Sequence, residues 1–137
     1  MKKILSKFSP WHPWGDRTAL AMNLPGVYLL ARFLRRPGLD KPRLSPKIIY
    51  IGETCKTLKH RLYNFNRSAF EGKFGHSGGH TFSKLTKARK DPAHLYISVM
   101  PVDLPAVQSE AYIRYAERAL LWAYVQKFGA MPSCNRK

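Results

Sequence analysis

Two tyrosines and an arginine stand at positions where the surrounding pattern predicts burial. Tyr50 lies in a short run of apolar and β-branched residues that is typical of a buried strand, and Tyr28 lies in an earlier run with strand alternation. Arg61 borders the apolar stripe of the helix predicted after the second run. Two phenols and a guanidinium on one face contribute little to a core, whereas a phosphate-binding site would use them. The alternative is a core tyrosine beside a surface arginine.

Glu117 falls inside the apolar stripe predicted for the last helix, four residues after Ile113 and three before Leu120. A carboxylate on a buried face costs on the order of several kcal/mol unless it is paired, hydrogen-bonded or bound to a metal ion. Two interpretations follow: Glu117 is a metal ligand, or it forms a structural ion pair with an arginine such as Arg61. Glu110, seven residues earlier near the same face, is the second candidate for this role.

Five sequence elements that could build one site follow one another in a fixed order. They are Gly26-Val27-Tyr28, Tyr50-Ile51-Gly52, Arg61, Glu117 and Pro132-Ser133-Cys134-Asn135. This ordered set resembles the GIY-YIG nuclease family, with valine in place of the isoleucine of the first motif. The resemblance covers most of the chain, residues 25 to 137. We therefore expect an N-terminal arm over residues 1–24 and a GIY-YIG nuclease-like domain over residues 25–137.

The resemblance implies an α/β (α+β) fold, a small domain whose central three-stranded antiparallel sheet is flanked by helices. It also implies a metal-dependent endonuclease that hydrolyses phosphodiester bonds in DNA, with both tyrosines lining the site and Asn135 stabilising it through hydrogen bonds. Glu117 would hold a single Mg²⁺ or Mn²⁺, since hard cations prefer oxygen ligands. Arg61 would bind the scissile phosphate. A tyrosine would act as general base or orient the attacking water, and whether Tyr28 or Tyr50 does so stays open.

The chain departs from the family's pattern four residues after the arginine. Many members carry a histidine or a tyrosine there, whereas this chain has Phe65, which can do no acid–base chemistry. Tyr63, His76 or His80 could supply that chemistry from elsewhere. The two histidines lie in a glycine-rich segment, for which we expect a flexible loop facing DNA, with one histidine entering the site. Because the glycines disfavour a helix there, a zinc site built from both histidines is not expected.

The chain carries 24 Lys and Arg against 8 Asp and Glu, a formal net charge of +16 for 137 residues. Such a charge favours a polyanionic partner, nucleic acid first and an anionic membrane surface second. We expect DNA rather than RNA, with a monomer and a homodimer both open. Six basic residues are candidates for contacts with nucleic acid: Lys56, Lys59, Arg67, Lys73, Lys84 and Lys87.

Composition also argues against several other classes of protein. No stretch approaches the ~20 uninterrupted apolar residues of a transmembrane helix. Two cysteines, Cys55 and Cys134, are too few for a disulfide framework and lack zinc-site spacing, so we expect a reduced, cytoplasmic chain. Two functions stay open besides the nuclease: a non-catalytic nucleic-acid-binding domain of the same fold, and a basic adaptor for an acidic protein or ribosomal RNA. The adaptor explains the charge but not Glu117.

Six elements must position the site residues. Apolar alternation predicts strands over residues 25–33 and 94–102, and a third strand from Ile48 that ends at Gly52. Apolar residues at helical spacing predict three helices: one that begins after Thr54 or Thr57, a short basic one over residues 81–90, and a long one over residues 106–128.

Two tryptophans precede the first predicted strand. The prolines around Trp11 and Trp14 preclude a regular element there. Aromatic rings of this kind could stack on exposed bases. We expect instead that they pin the N-terminal arm onto the domain.

Overall fold

One antiparallel sheet lies at the centre of the chain. Across it the strands follow one another in the order β1 (His12–Pro13), β4 (Leu95–Pro101), β2 (Gly26–Arg32) and β3 (Ile48–Thr54). The structure is a computed structural model that describes residues 1–20, 23–85 and 92–135. The three long strands are β2 (Gly26–Arg32), β3 (Ile48–Thr54) and β4 (Leu95–Pro101), and β2 pairs with both of the others. A mixed α/β fold with an antiparallel sheet is therefore confirmed.

The fourth strand, β1, corrects the expectation of a three-stranded sheet. It consists of His12–Pro13 and pairs with the outer edge of β4, where His12 lies opposite Ile97. The expectation that the prolines exclude a regular element is wrong here. An edge strand tolerates Pro13, because a proline needs no partner for an amide hydrogen that it lacks.

Five helices among the described residues flank the sheet, two of them short. The short ones are α1 (Lys2–Leu5) and α2 (Arg17–Leu20), and the longer ones are α3 (Leu58–Phe70), α4 (Ser77–Leu85) and α5 (Ala106–Phe128). Short 3-10 turns cover Trp14–Asp16 and Pro92–His94. No helix among the described residues has the length and apolar character needed to cross a membrane.

The ends of α3 and α5 follow local capping rules. Thr57 caps α3, since its hydroxyl oxygen accepts a hydrogen bond from the His60 amide. Gly129 ends α5 in the left-handed conformation, with φ 76°, and its amide bonds back to the Val125 carbonyl. The predicted bounds of α5 are confirmed.

Strand β3 does not end at Gly52, as the sequence predicts, but continues to Thr54. Gly52 lies opposite Tyr28 in the register of β2 and β3. A Cβ at this position would meet Tyr28 Cζ at 2.6 Å and Tyr50 Cε2 at 2.5 Å. The glycine therefore makes room for two aromatic rings and does not terminate the strand.

The sheet separates two apolar cores. On one face Val27, Leu29 and Ile51 pack against α1 and against Ile113 and Leu120 of α5. The other face packs against α3 and α4, and its buried residues include Tyr28, Leu30, Tyr50, Leu58, Leu62, Phe65, Phe82, Leu95, Ile97 and Val99. The long helix and the helix that carries Arg61 thus lie on opposite faces of the sheet.

Residues of the predicted arm contribute to both cores. Phe8 is fully buried in the first core, and Trp14, 1% exposed, is buried in the second. The Trp14 indole Nε1 donates a hydrogen bond to Asn66 Oδ1 at 2.8 Å. Trp11 packs edge-on against Phe33, with ring centroids 5.4 Å apart. The expectation that the tryptophans pack rather than stack on bases is confirmed.

Helix α4 differs from its prediction at its start. It begins at Ser77, inside the segment expected to be a flexible loop, rather than at residue 81. Within this helix Phe82 is buried, whereas Leu85 is 49% exposed. Residues 86–90 of the predicted helix, Lys87 among them, lie outside the described residues.

Candidate active site

Tyr28 and Tyr50 project from the same face of the sheet onto α3 and α4. In the register Tyr28 faces Gly52 and Leu30 faces Tyr50, so the two tyrosines are diagonal neighbours on adjacent strands. Their ring centroids are 5.9 Å apart. Tyr28 is fully buried, whereas Tyr50 keeps 8% of its surface exposed.

Arg61 lies beside both tyrosines, in the first turn of α3. Its Nε is buried and has no hydrogen-bond partner in the protein. Arg61 takes no part in the ion pairs Arg114–Glu110 and Arg118–Glu117. A guanidinium carries its charge at any physiological pH, so an anion that reaches this nitrogen would be stabilised.

The neighbourhood keeps both phenols protonated. Burial raises the pKa of Tyr28 well above its ordinary value and raises the pKa of Tyr50 as well, while the positive charge of Arg61 opposes the rise at both. The negative charge of Glu117 adds to the rise in the Tyr50 pKa. Burial is thus the dominant effect, and a phenol here loses its proton only when further positive charge arrives.

His76 occupies the space between the two tyrosines and Phe65. Its Nε2 lies 2.7 Å from the Tyr28 hydroxyl oxygen, and its ring stands edge-on to Phe65 with centroids 5.1 Å apart. Only 4% of the residue is exposed. Burial, followed by the nearby charge of Arg61, lowers the His76 pKa from 6.5 to about 4. The imidazole is therefore neutral at pH 7.

The other two auxiliary candidates lie away from this cluster. His80 is exposed and pairs with the Phe74 ring at 6.2 Å. Tyr63 is 56% exposed, and the Arg67 guanidinium lies 5.6 Å from its ring centroid. Of the three candidates, the structure brings only His76 to the tyrosines.

Two glycines allow α4 to begin against the site, although we expected glycines to prevent a helix there. A Cβ at Gly78 would collide with the Tyr50 ring, and one at Gly79 would meet the Phe65 carbonyl oxygen at 2.8 Å. The close approach between α4 and the site outweighs the low helix propensity of glycine.

Among described residues no group of three or more His, Cys, Asp or Glu side chains could hold a metal ion.

Glu117 reaches the neighbourhood of Tyr50 from α5. Its side chain is 18% exposed, and its Oε1 lies 3.4 Å from Nε of Arg118, which is 79% exposed. Glu117 thus forms an ion pair with an arginine, Arg118. Glu110, the second candidate, is 54% exposed and pairs with Arg114 at 3.1 Å on the surface.

Glu117 offers a single carboxylate, which suits magnesium or manganese better than zinc. These hard cations are commonly held by one or two carboxylates, with waters and phosphate oxygens filling the remaining positions. Zinc sites need three or four nitrogen or sulfur ligands, which the described residues do not bring together. Glu117 is therefore the residue that would hold the metal that the family resemblance implies.

Asn135 holds the outer edge of β3. Its Oδ1 accepts a hydrogen bond from the Ile51 amide, and its Nδ2 donates to the Ile51 carbonyl, both at 2.9 Å. The Cys134 amide adds a bond to the Ile49 carbonyl at 2.8 Å. These bonds flank Tyr50 on either side along the strand. Asn135 thus acts on the site through the strand that carries Tyr50.

A groove of about 340 Å³ opens beside the site between β3, α3 and α5. Lys56, Arg61 and Arg114 supply positive charge along it, and Glu53 is its acidic residue. Sequence reasoning missed Arg114, although its position between Glu110 and Glu117 on one helix was a usable signal. The groove gives an anionic chain access to Arg61.

The remaining candidates for contacts with nucleic acid are spread over the surface. Lys59, Lys73 and Lys84 are exposed, and Arg67 is half-buried beside Tyr63. Lys56 is the member of this set that lines the groove together with Arg61.

No protein-family model, no curated protein and no solved structure matches this chain. A function for the protein accordingly rests on its own residues and their geometry.

Proposed function

We propose that the protein is a metal-dependent endonuclease of the GIY-YIG type that hydrolyses phosphodiester bonds in DNA. The observation that carries this proposal is the Arg61 guanidinium, whose buried Nε has no partner and which lies beside two phenols. Leaving a buried charged donor unpaired is costly, and a phosphate oxygen is the partner that a guanidinium binds best. The net charge of +16 would draw the phosphate backbone to the protein.

Each residue of the cluster has a role in this proposal. Arg61 binds the scissile phosphate and opposes the negative charge that builds on it. Tyr28 and Tyr50 orient the attacking water or accept its proton, with Tyr50 nearer to solvent. Asn135 keeps the strand of Tyr50 in place.

Glu117 would hold Mg²⁺ or Mn²⁺ in this site. When bound, such an ion supplies positive charge that lowers the pKa of nearby hydroxyls and balances charge on the phosphate. The negative charge of Glu117 contributes to the raised pKa of Tyr50, so a cation held by this carboxylate would lower that pKa.

The alternative is a nucleic-acid-binding domain of the same fold without catalysis. The charge of +16 is sufficient for binding, and Phe65 stands where the family usually has an acid–base residue. This alternative predicts that wild type binds nucleic acid without cleaving it. It also predicts that removing the Glu117 carboxylate leaves this binding unchanged.

Cleavage of supercoiled plasmid with Mg²⁺ or Mn²⁺ tests the proposal. We expect wild type to nick or linearise the plasmid only with metal, and Glu117→Ala and Arg61→Ala to lose activity by about 10²-fold or more. Glu110→Ala is the matched control, since it removes an exposed carboxylate from the same helix and should leave cleavage unchanged.

One outcome would contradict the nuclease, and another would contradict only the role of Glu117. Plasmid that stays intact with either metal, yet shifts equally in a gel with wild type and Glu117→Ala, points to the binding domain. Equal losses in Glu110→Ala and Glu117→Ala would show that α5 is perturbed generally and that Glu117 has no special role.

A further inference from the structure

Both nitrogens of the His76 ring are engaged, and the two partners together fix its tautomer. The Gly79 backbone amide donates a hydrogen bond to Nδ1 at 3.1 Å. A backbone amide can only donate, so Nδ1 must carry a lone pair. In a neutral imidazole the single ring proton then resides on Nε2.

This tautomer sets the direction of the hydrogen bond to Tyr28. The Nε2–H donates to the Tyr28 hydroxyl oxygen across 2.7 Å, and Tyr28 accepts. The proton of the Tyr28 hydroxyl must therefore point to another acceptor. Arg61 cannot be that acceptor, because a guanidinium only donates.

Tyr50 is the remaining polar neighbour that acts on Tyr28. The ring centroids of the two tyrosines are 5.9 Å apart. Burial raises the pKa of both phenols, while Tyr28 partly opposes that rise at Tyr50 and Tyr50 adds to the rise at Tyr28. Tyr28 is fully buried, whereas Tyr50 retains some exposure. A Tyr28 proton directed at Tyr50 would extend the chain of donors that begins at His76 toward the exposed side of the cluster.

We propose that His76 is a positioning residue, which by donating from Nε2 turns the Tyr28 hydroxyl toward Tyr50 and leaves Tyr50 as the tyrosine that meets the substrate. This inference rests on the proposed nuclease function. It assigns Tyr28 to support and Tyr50 to contact with the attacking water. His76 itself does not take a proton from the substrate, because its lone pair faces the Gly79 amide.

A purely structural role for His76 makes a different prediction. His76 precedes Ser77 and caps α4 through Nδ1, and its own amide donates to Ser68 Oγ at 3.1 Å. If holding the start of α4 were its whole contribution, a substitution that keeps the Nδ1 acceptor would restore function. The donor at Nε2 would then be irrelevant.

Two amide variants separate these roles. His76→Gln places an amide donor near the position of Nε2 and loses the cap, whereas His76→Asn keeps a capping oxygen near Nδ1 and loses the donor to Tyr28. We expect His76→Asn to lower kcat about tenfold or more with little change in KM, and His76→Gln to stay within about threefold of wild type. The reverse order of activity would overturn the proposal.

A double-mutant cycle with Tyr28→Phe tests whether His76 acts through the Tyr28 hydroxyl. If it does, His76→Asn lowers the activity of the Tyr28→Phe enzyme no further. If the double variant instead shows the product of the two separate losses of activity, the chain of donors is overturned. Thermal unfolding of each variant identifies those whose loss of activity is a loss of fold.

Nitrogen NMR of wild-type protein gives a readout that needs no cleavage. With ring-labelled histidine, His76 should show a protonated Nε2 and an unprotonated Nδ1 at pH 7, and Tyr28→Phe should shift the Nε2 signal. A protonated Nδ1 would overturn the positioning role even if the protein cleaves DNA. Absence of cleavage with this tautomer present would instead refute the nuclease and leave the hydrogen-bond assignment intact.

Discussion

The charge of Arg61 influences three titratable neighbours at once. It lowers the pKa of His76 and opposes the burial that raises the pKa of Tyr28 and Tyr50. The result at neutral pH is a cluster with one permanent positive charge and three neutral donors or acceptors. Such a cluster attracts a phosphate without offering it a competing carboxylate at the same nitrogen.

The depressed pKa of His76 makes the folded protein sensitive to acid. Its folded-state pKa of about 4 lies below the ordinary 6.5, so the unfolded chain binds more protons between these values. Stability contributed by the neutral ring is fully present above pH 6.5 and is lost as the pH falls toward 4. One proton corresponds to a slope of at most about 1.4 kcal/mol per pH unit.

Chemical denaturation at several pH values measures this dependence. The free energy of unfolding of His76→Gln should fall less steeply between pH 6.5 and 4 than that of wild type. The exposed His80 provides the control, since His80→Gln leaves the buried ring in place and should keep the wild-type slope. Equal slopes in all three proteins would show that His76 does not titrate with unfolding.

At the scale of elements, the start of α4 depends on the absence of a side chain at Gly78. A Cβ there would lie 2.7 Å from Cζ of Tyr50. The Tyr50 ring has little freedom to move away, because it also packs against His76 with centroids 5.4 Å apart and against Phe65 at 6.3 Å. The helix and the tyrosine therefore fix each other's position.

We expect Gly78→Ala to destabilise the protein by about 1–3 kcal/mol through overpacking, although alanine is the better helix former. Gly38→Ala is the matched control, because nothing lies within 4 Å of its added Cβ. Thermal or urea unfolding measures both. A Gly78→Ala protein as stable as wild type would mean that α4 does not pack on the Tyr50 ring.

Elements that follow a local rule could be predicted from the sequence. Apolar alternation located β2 and β4 to within two residues, and helical spacing with a terminal glycine gave the bounds of α5. Alternation also placed Tyr28 and Tyr50 on one face once the strands paired antiparallel.

Features decided by packing between distant segments could not be predicted in the same way. Gly52 and Gly78 look like a strand end and a loop in sequence, yet each is a glycine because an aromatic ring lies against it. Whether His76 or His80 reaches the tyrosines depends on the path of the segment between α3 and α4. That segment shows no periodic pattern in the sequence. Strand β1 could not be predicted from the sequence either, because two residues are too few to show a periodic pattern.

For the whole molecule, the net charge predicts how binding responds to salt. Each phosphate contacted by a lysine or arginine contributes about 0.9 to the slope of log K against log salt on duplex DNA. Lys56→Ala, in the groove beside Arg61, should reduce this slope by about one and weaken binding to all sequences alike.

Fluorescence anisotropy with labelled duplex, at several salt concentrations and without metal, measures the slope. Lys84→Ala is the matched control, since Lys84 is exposed on α4 and does not line the groove. A slope that changes for Lys84→Ala but not for Lys56→Ala would place the DNA on another face.

Of the three long strands, the outer two, β4 and β3, are each covered by a segment from far away in the sequence. On the β4 side lie β1 and Ser9, whose amide donates to the Val99 carbonyl at 2.8 Å. On the β3 side lie Cys134 and Asn135. Uncovered strand edges recruit other chains into intermolecular sheets. The first 24 residues therefore protect against aggregation as well as filling the core, and a shortened protein beginning at residue 25 would tend to self-associate through β4.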